Sequence, residues 1–168
     1  MRWEHEVATI RAKRPGKTFE TGPVTLWMRR MASAATVALT LFLLARFPQL
    51  PESIPTHFSL SGDADDWGPR WMLFPLVAVF TGLVLVVAWI STRPQIFNYP
   101  MGITESNAQS AYREGERMMV WTQVALVVLY AGAAASTIGW DGAILVAAGL
   151  VGMLGAVIAG LVRLLSVS

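Results

Sequence analysis

The stretch WMLFPLVAVFTGLVLVVAWI, residues 71–90, decides the fold of this chain because it contains no charged side chain. A helix needs about 20 mainly apolar residues to cross a bilayer, since every backbone amide must be satisfied within the segment where there is no water. Charge-free runs of this length are not expected on the surface of a soluble protein. The stretch therefore predicts a transmembrane helix.

Three other segments extend this pattern. Residues 118–138 and 143–162 are equally free of charge. Residues 31–45 are also charge-free but would span only about 22 Å as a helix, so this crossing needs its flanks. Arg29, Arg30 and Arg46 can supply that length if they extend their head groups to the membrane interfaces. The predicted spans lie near residues 29–47, 71–90, 118–138 and 143–162.

The composition supports the same fold class. Charged residues make up 14% of the 168 residues and hydrophobic residues 54%, whereas a soluble domain carries roughly a quarter of its residues as charged side chains. We therefore predict an all-α membrane helix bundle in residues 29–168, preceded by a cytoplasmic, mostly disordered basic tail in residues 1–28. The absence of cysteine excludes disulfides and thiolate metal sites.

The distribution of basic residues predicts the orientation. Of the 13 Lys and Arg residues, all but Arg46 and Arg70 flank one set of helix ends. By the positive-inside rule, that side is the cytoplasm, so both termini are cytoplasmic and the 50–70 loop faces outward. The basic tail is expected to lie on anionic lipid, and no nucleic-acid partner is predicted.

The outer loop reads LPESIPTHFSLSGDADDWGPR, residues 50–70. Pro51 and Pro55 force the residues before them into extended conformations, and residues 61–63 favour a turn. Pro69 suits the first turn of the following helix. The loop is therefore predicted to form a short, structured extracytoplasmic cap.

Side chains in this cap are the candidate binding residues, and we predict neither a metal nor another cofactor. An EF-hand arrangement starting at Asp63 fails at Trp67 and at Phe74, where oxygen ligands are required. Zinc needs more nitrogen or sulfur donors than His57 supplies. The candidates for contact with a ligand or partner are His57, Phe58, Asp63, Asp65, Asp66 and Trp67.

Simpler structural roles remain open for several of these side chains. His57 can be a hydrogen-bonding member of the cap, or a pH-sensitive or ligand-contacting group. Phe58 and Trp67 can pack at the membrane interface or form a hydrophobic recognition spot. No nucleophile elbow, metalloprotease motif or phosphate-binding loop occurs, so no catalytic residue is predicted and the chain is not expected to be an enzyme.

Two further features concern helix packing and helix starts. Ala148, Gly152, Ala156 and Gly160 lie at i, i+4 spacing on the fourth span, where small residues let helices approach closely. This stripe predicts an internal contact with the third span or, alternatively, a homodimer face. In the inner loop, Thr104 or Ser106 can cap a helix that leads into the third span, and Ser106 with Gln109 would complete a capping box.

The outer loop and the inner loop resemble a known family. The pattern LPxxIPxHFxxxGxxD is matched by Leu50, Pro51, Ile54, Pro55, His57, Phe58, Gly62 and Asp65. A second segment is matched by Asn98, Tyr99, Pro100, Ile103, Thr104, Glu105, Asn107, Ala108 and Tyr112. On these residues the chain resembles the family called domain of unknown function 1648, the front module of SdpI-type bacterial immunity proteins.

The resemblance implies a bacterial plasma-membrane protein, and SdpI-type members protect the cell from a secreted peptide toxin and signal its presence. It supplies no catalytic residues. The function expected from it is binding of an extracytoplasmic peptide or envelope partner through residues 50–70. The alternative is a structural subunit or assembly factor of a larger membrane complex, for which the stripe of small residues would provide a contact.

Overall fold

A computed structural model describes residues 14–59 and 64–167. The described part contains four long helices, α1 Pro23–Arg46, α2 Leu73–Ser91, α3 Ala108–Thr137 and α4 Ala143–Leu165. Between α1 and α2 lies an antiparallel hairpin of two strands, β1 Ser53–Phe58 and β2 Ala64–Pro69. Short 3-10 turns occupy Phe47–Gln49, Arg70–Met72 and Pro94–Ile96.

All four helices are long and apolar enough to cross a membrane. The predicted all-α membrane bundle is therefore confirmed. The bundle has two ends, defined here by the segments that lie there. The hairpin end carries the β1–β2 hairpin and the α3–α4 turn, and the basic end carries residues 14–22, the α2–α3 connection and the end of α4.

The helix limits differ from the predicted spans at two places. Helix α1 begins at Pro23 rather than near residue 29, because proline lacks the amide donor that the first turn leaves unused. Helix α3 begins at Ala108 and has 30 residues, about 45 Å at 1.5 Å per residue. Since a bilayer core is about 30 Å thick, the first turns of α3 extend beyond it at the basic end.

The predicted disordered tail covered residues 1–28, of which residues 1–13 lie outside the described part of the chain. Residues 23–28 belong to α1. Residues 14–22, named here the docked segment, form long-range hydrogen bonds to the α2–α3 connection and to α3. For residues 14–28 the structure therefore corrects the prediction, because polar side chains of α3 supply partners that the local sequence does not reveal.

The predicted capping box at Ser106 and Gln109 is wrong. Helix α3 starts after Asn107 and has no side-chain cap bond. The Gln109 amide instead donates from Nε2 to the Gly16 carbonyl at 2.8 Å, and its Oε1 accepts from the Thr18 amide at 2.9 Å. Gln109 thus holds the docked segment rather than the helix start.

The hairpin rests on a buried apolar cluster at its end of the bundle. Leu50 and Ile54, both from the outer-loop motif, are buried there against Tyr130 of α3. The other buried members of the cluster come from α1, α2 and α3: Leu43, Leu73, Val77 and Ala134. Apolar residues of the motif therefore anchor the hairpin to three helices, which fixes the position of the polar residues beyond them.

Helices α3 and α4 form a close antiparallel pair. A methyl group built at Gly149 would lie 2.6 Å from the backbone nitrogen of Leu129, and one at Gly160 would collide with Met118. Gly139, with φ +83°, makes the turn between the helices possible. Glycines at these positions therefore let the two backbones approach.

Only part of the predicted small-residue stripe lies in this contact. Gly160 is buried against Met118, and Ala156 is half-buried. Ala148 and Gly152 are exposed, although Gly152 borders Ala125. Residues at i, i+4 spacing do not stay on one side of an α-helix, so successive members of the stripe turn away from α3. The members nearest the hairpin end therefore lie outside the contact.

Candidate functional site: the hairpin and the groove beneath it

The hairpin is irregular where its motif residues lie. Pro55 pairs with Trp67 and His57 with Asp66, so Thr56 is an extra residue on β1. The next pair joins Phe58 to Ala64, which leaves Asp65 as an extra residue on β2. Such bulges reorient side chains relative to a regular ladder.

The irregular register brings together His57 and Asp65. The His57 Nδ1 atom lies 2.6 Å from Asp65 Oδ1, and the two side chains are 69% and 47% exposed. The carboxylate thus fixes the orientation of the imidazole at the surface of the hairpin. His57 is a hydrogen-bonding member of the cap, while its exposed ring remains accessible to a ligand.

The other predicted binding residues divide into three groups. Asp66 is exposed, and its Oδ1 accepts a 2.9 Å hydrogen bond from the Trp67 amide. The Trp67 ring is exposed as well. Phe58 lies on β1 with its backbone paired to Ala64, but its side chain is outside the described structure, as is the whole of Asp63.

A groove of about 460 Å³ lies beneath the hairpin. Residues Pro55, Thr56, His57 and Ser59 form its outer edge. Met72 of the 3-10 turn and apolar side chains of α2, α3 and α4 form its walls. The helix residues include Leu76, Val79, Phe80, Leu129, Ala133, Val146 and Leu150. This is the size range of small-molecule and peptide side-chain pockets. Of the predicted binding residues, His57 lines this groove. The apolar walls could not be predicted from the sequence, because they come from three helices.

The hairpin presents negative charge beside this groove. Glu52, Asp65 and Asp66 are exposed. The Arg70 guanidinium lies over the Phe47 ring, 5.5 Å from its centroid. Because the acidic side chains outnumber Arg70, the edge of the groove is suited to a positively charged group.

No group of three His, Cys, Asp or Glu residues that could hold a metal ion occurs within residues 14–59 and 64–167. His57 and Asp65 contribute two donors at most. The His57 and Asp65 pair can offer hydrogen bonding and charge pairing to an organic ligand.

A buried ionic cluster at the basic end was missed from the sequence. Glu116 of α3 is 2% exposed and accepts from Arg29 at 2.9 Å and Lys17 at 3.0 Å. The Thr21 hydroxyl donates to the same carboxylate at 2.6 Å. Arg29 was expected to reach the membrane interface, but its side chain is 13% exposed and directed at Glu116. The sequence signal for this pairing is the position of Glu116, a charged residue just before the charge-free residues 118–138.

The second motif segment lies beside this cluster and holds the docked segment. The Tyr112 hydroxyl donates to the Pro15 carbonyl at 3.0 Å, and the Tyr99 hydroxyl donates to the Pro94 carbonyl at 2.9 Å. Arg14 donates to the Phe97 carbonyl at 2.6 Å. Burial, together with the nearby Tyr112 ring, raises the pKa of Tyr99 well above its usual value. Both family-like segments thus have a structural role, and the outer segment also carries the candidate binding residues.

Comparisons with known proteins fit this geometry. Residues 34–82 match the family model described as Domain of unknown function (DUF1648). An uncharacterised protein of Archaeoglobus fulgidus is similar, with 34% identity over 94 residues, which cover 51% of this chain and 50% of the relative. This chain therefore spans about half the length of that curated relative. No solved structure gives a significant match.

Proposed function

We propose that this chain is a membrane protein that binds an extracytoplasmic peptide at its hairpin. The proposal starts from the domain at residues 34–82, which matches the DUF1648 family model. The domain comprises the second half of α1, the hairpin and the first half of α2. The observation that carries the proposal is the groove of about 460 Å³, which adjoins His57 at its outer edge.

The chemistry of the groove defines the peptide. Its walls are apolar side chains such as Leu76, Val79 and Phe80. Burying apolar surface there contributes about 25 cal/mol per Å². The exposed carboxylates of Asp65 and Asp66 lie on the hairpin itself. The preferred ligand is therefore a peptide in which an apolar segment is followed by a Lys or Arg residue.

His57 and Asp65 are proposed to contact the peptide backbone or its basic side chain. Because Asp65 holds Nδ1 of the imidazole, the ring is oriented before the ligand arrives. A preoriented polar group loses less conformational entropy on binding than a freely rotating one. His57 and Asp65, both residues of the outer-loop motif, are thus proposed to act as a pair.

The cellular role follows from the predicted orientation. With the basic end in the cytoplasm, the hairpin faces the outside, where a secreted peptide would approach. The resemblance to SdpI-type immunity proteins suggests that this peptide is a toxin. The bacterial source and the immunity role are parts of this proposal, and so is a binding rather than a catalytic activity.

The experiment uses the full chain in nanodiscs of zwitterionic lipid and a fluorescent peptide with five Leu residues followed by two Lys residues. Val79→Trp places a large ring in the groove, while Val86→Trp, on an exposed position of α2 outside the groove, is the matched control. We expect Val79→Trp to weaken binding at least tenfold and Val86→Trp to leave it unchanged.

A second pair of variants tests the charge. Asp65→Asn with Asp66→Asn should weaken binding by about tenfold, which corresponds to one charge-assisted contact. Glu105→Gln, an exposed position at the basic end, should have no effect. Equal binding by the wild type and both sets of variants, or equal affinity for a peptide with Ser in place of Lys, would contradict the proposal.

A second candidate function is a subunit of a larger membrane complex or a homodimer. The exposed Ala148 and Gly152 favour it, since small residues on a lipid-facing surface allow another helix to approach. Gly152→Cys should then form a disulfide-linked dimer, or a crosslink to a stoichiometric partner, in the native membrane. A monomer without crosslinks would exclude this face as the contact.

A further inference from the structure

A second cavity lies at the basic end, on the side of the bundle where α3 and α4 meet. Its volume is about 220 Å³. Charged side chains from the two helices, Glu114, Arg117 and Arg163, lie at its outer part. It shares no lining residue with the groove under the hairpin, so any ligand bound here would be separate from the proposed peptide.

The inner part of the cavity is a surface almost without side chains. Gly152, Gly155, Ala156 and Ala159 of α4 line it. A methyl group built at Gly155 would meet nothing within 4 Å, and one at Gly152 would meet only Ala125, at 3.4 Å. From Gly152 to Arg163 the helix rises about 16 Å. The cavity therefore continues along the helix as a shallow, apolar channel directed into the membrane.

The charged part of the cavity contains incompletely paired groups of both signs. Arg117 Nη1 donates to Glu114 Oε1 at 2.6 Å. The other carboxylate oxygen, Glu114 Oε2, is buried and has no hydrogen-bond partner among the described residues. Arg163 forms no ion pair within residues 14–59 and 64–167. Burial of a carboxylate oxygen without a partner is costly, so the Glu114 carboxylate can accept a further hydrogen bond from a donor.

Two arginines and one carboxylate line the same cavity, and this combination suits a zwitterionic ligand. Guanidinium groups bind phosphate oxygens strongly, through charge-assisted hydrogen bonds. A carboxylate oxygen accepts hydrogen bonds from an ammonium group. Trp121, an exposed ring that also lines the cavity, is a residue type enriched at the level of lipid head groups.

We propose that this cavity binds a phospholipid whose head group carries an amine, with the phosphate on Arg117 and Arg163 and the ammonium beside the Glu114 carboxylate, whose side chain is 14% exposed. One acyl chain lies along the glycine and alanine surface of α4. An adjoining cavity of about 300 Å³, which also includes Arg117, Trp121 and Arg163, extends towards Pro23 and Met28 of α1. It provides room for the rest of the lipid beside the head group.

The test measures lipid binding to the purified full chain by native mass spectrometry, with phosphatidylethanolamine and phosphatidylglycerol as the two probes. We expect the wild type to bind phosphatidylethanolamine more tightly. Arg163→Gln should weaken the binding of both lipids by about tenfold, the effect of one charge-assisted hydrogen bond. Glu114→Gln should remove the preference between them, because the amide keeps the shape but loses the charge.

The acyl channel is tested separately by filling it. Gly155→Leu introduces a side chain into open space and should reduce phosphatidylethanolamine binding at least tenfold. Gly82→Leu, at a position of α2 that is equally open and exposed, is the matched control and should bind as the wild type does. Equal affinity for the two lipids in the wild type, or unchanged binding by Arg163→Gln and Gly155→Leu, would overturn the proposal.

Discussion

Replacing Glu116 by glutamine should destabilise the basic end of the bundle. The Glu116 carboxylate is 2% exposed and receives bonds from Arg29, Lys17 and Thr21. Glutamine keeps the size of the side chain and one acceptor oxygen. The amide NH2 group of glutamine, however, is a donor and would face the donor group of Lys17 or Arg29. The negative charge between these two cations is also lost.

The magnitude follows from the burial of the cations. Breaking a buried ion pair by removal of one partner costs about 3–5 kcal/mol, because the other charge is left uncompensated. Arg29 and Lys17 retain 13% and 19% side-chain exposure, so water relieves part of this cost. We expect a loss near the lower limit, about 3 kcal/mol, which lowers the unfolding midpoint by roughly 6–12 °C.

The assay is thermal unfolding in mild detergent, followed by tryptophan fluorescence, combined with trypsin cleavage after Lys17. Release of Lys17 should make cleavage of the Lys17–Thr18 bond faster in Glu116→Gln than in the wild type. Glu105→Gln, at an exposed position, is the matched control and should behave as the wild type. A midpoint within 1 °C of the wild type, together with unchanged cleavage, would refute the assignment of Glu116 as the anchor of the docked segment.

Three other predictions concern close contacts, a polar link within the bundle and alkaline pH. Gly149→Ala should destabilise the bundle by about 1–3 kcal/mol because its methyl group meets the α3 backbone, whereas Gly155→Ala, which meets open space, should not; unfolding midpoints compare them. Tyr130→Phe should cost about 0.6–1 kcal/mol through loss of its 3.1 Å bond to Thr40, measured in the same assay. Because the pKa of Tyr99 is raised in the folded state, its contribution to stability is complete below pH about 10 and is lost as the pH rises above it. Tyr99→Phe should therefore flatten the alkaline loss of stability, and an unchanged profile would contradict this.

The sequence predicted the membrane helices because their signal is local. Residues 71–90 contain no charge, and the structure has α2 at Leu73–Ser91 with a 3-10 turn before it. The start of α1 was misplaced because Arg29 was expected at the interface. Its charge is instead satisfied by Glu116, which is 87 residues away along the chain. A pairing at this distance leaves no periodic signal in a single sequence.

The cap was predicted as structured and extended, but not as a pair of strands. Pro55 and Pro69 lie in the two strands, and proline within a strand normally argues against that assignment. The hairpin tolerates them because it has two strands only, so each strand has an unpaired edge. The contact between His57 and Asp65 depends on the bulges in this register. Its residues could therefore be listed as candidates from the sequence, while their geometry could not be derived.

The orientation of the hairpin tests the account most directly, since peptide binding requires it to face the outside of the cell. The chain has no natural cysteine, so Glu52→Cys in the hairpin segment and Glu105→Cys at the basic end provide unique, exposed labelling sites. An impermeant maleimide should label Glu52→Cys in intact cells and Glu105→Cys only after the membrane is opened. Labelling of Glu105→Cys in intact cells, with Glu52→Cys protected, would contradict the account.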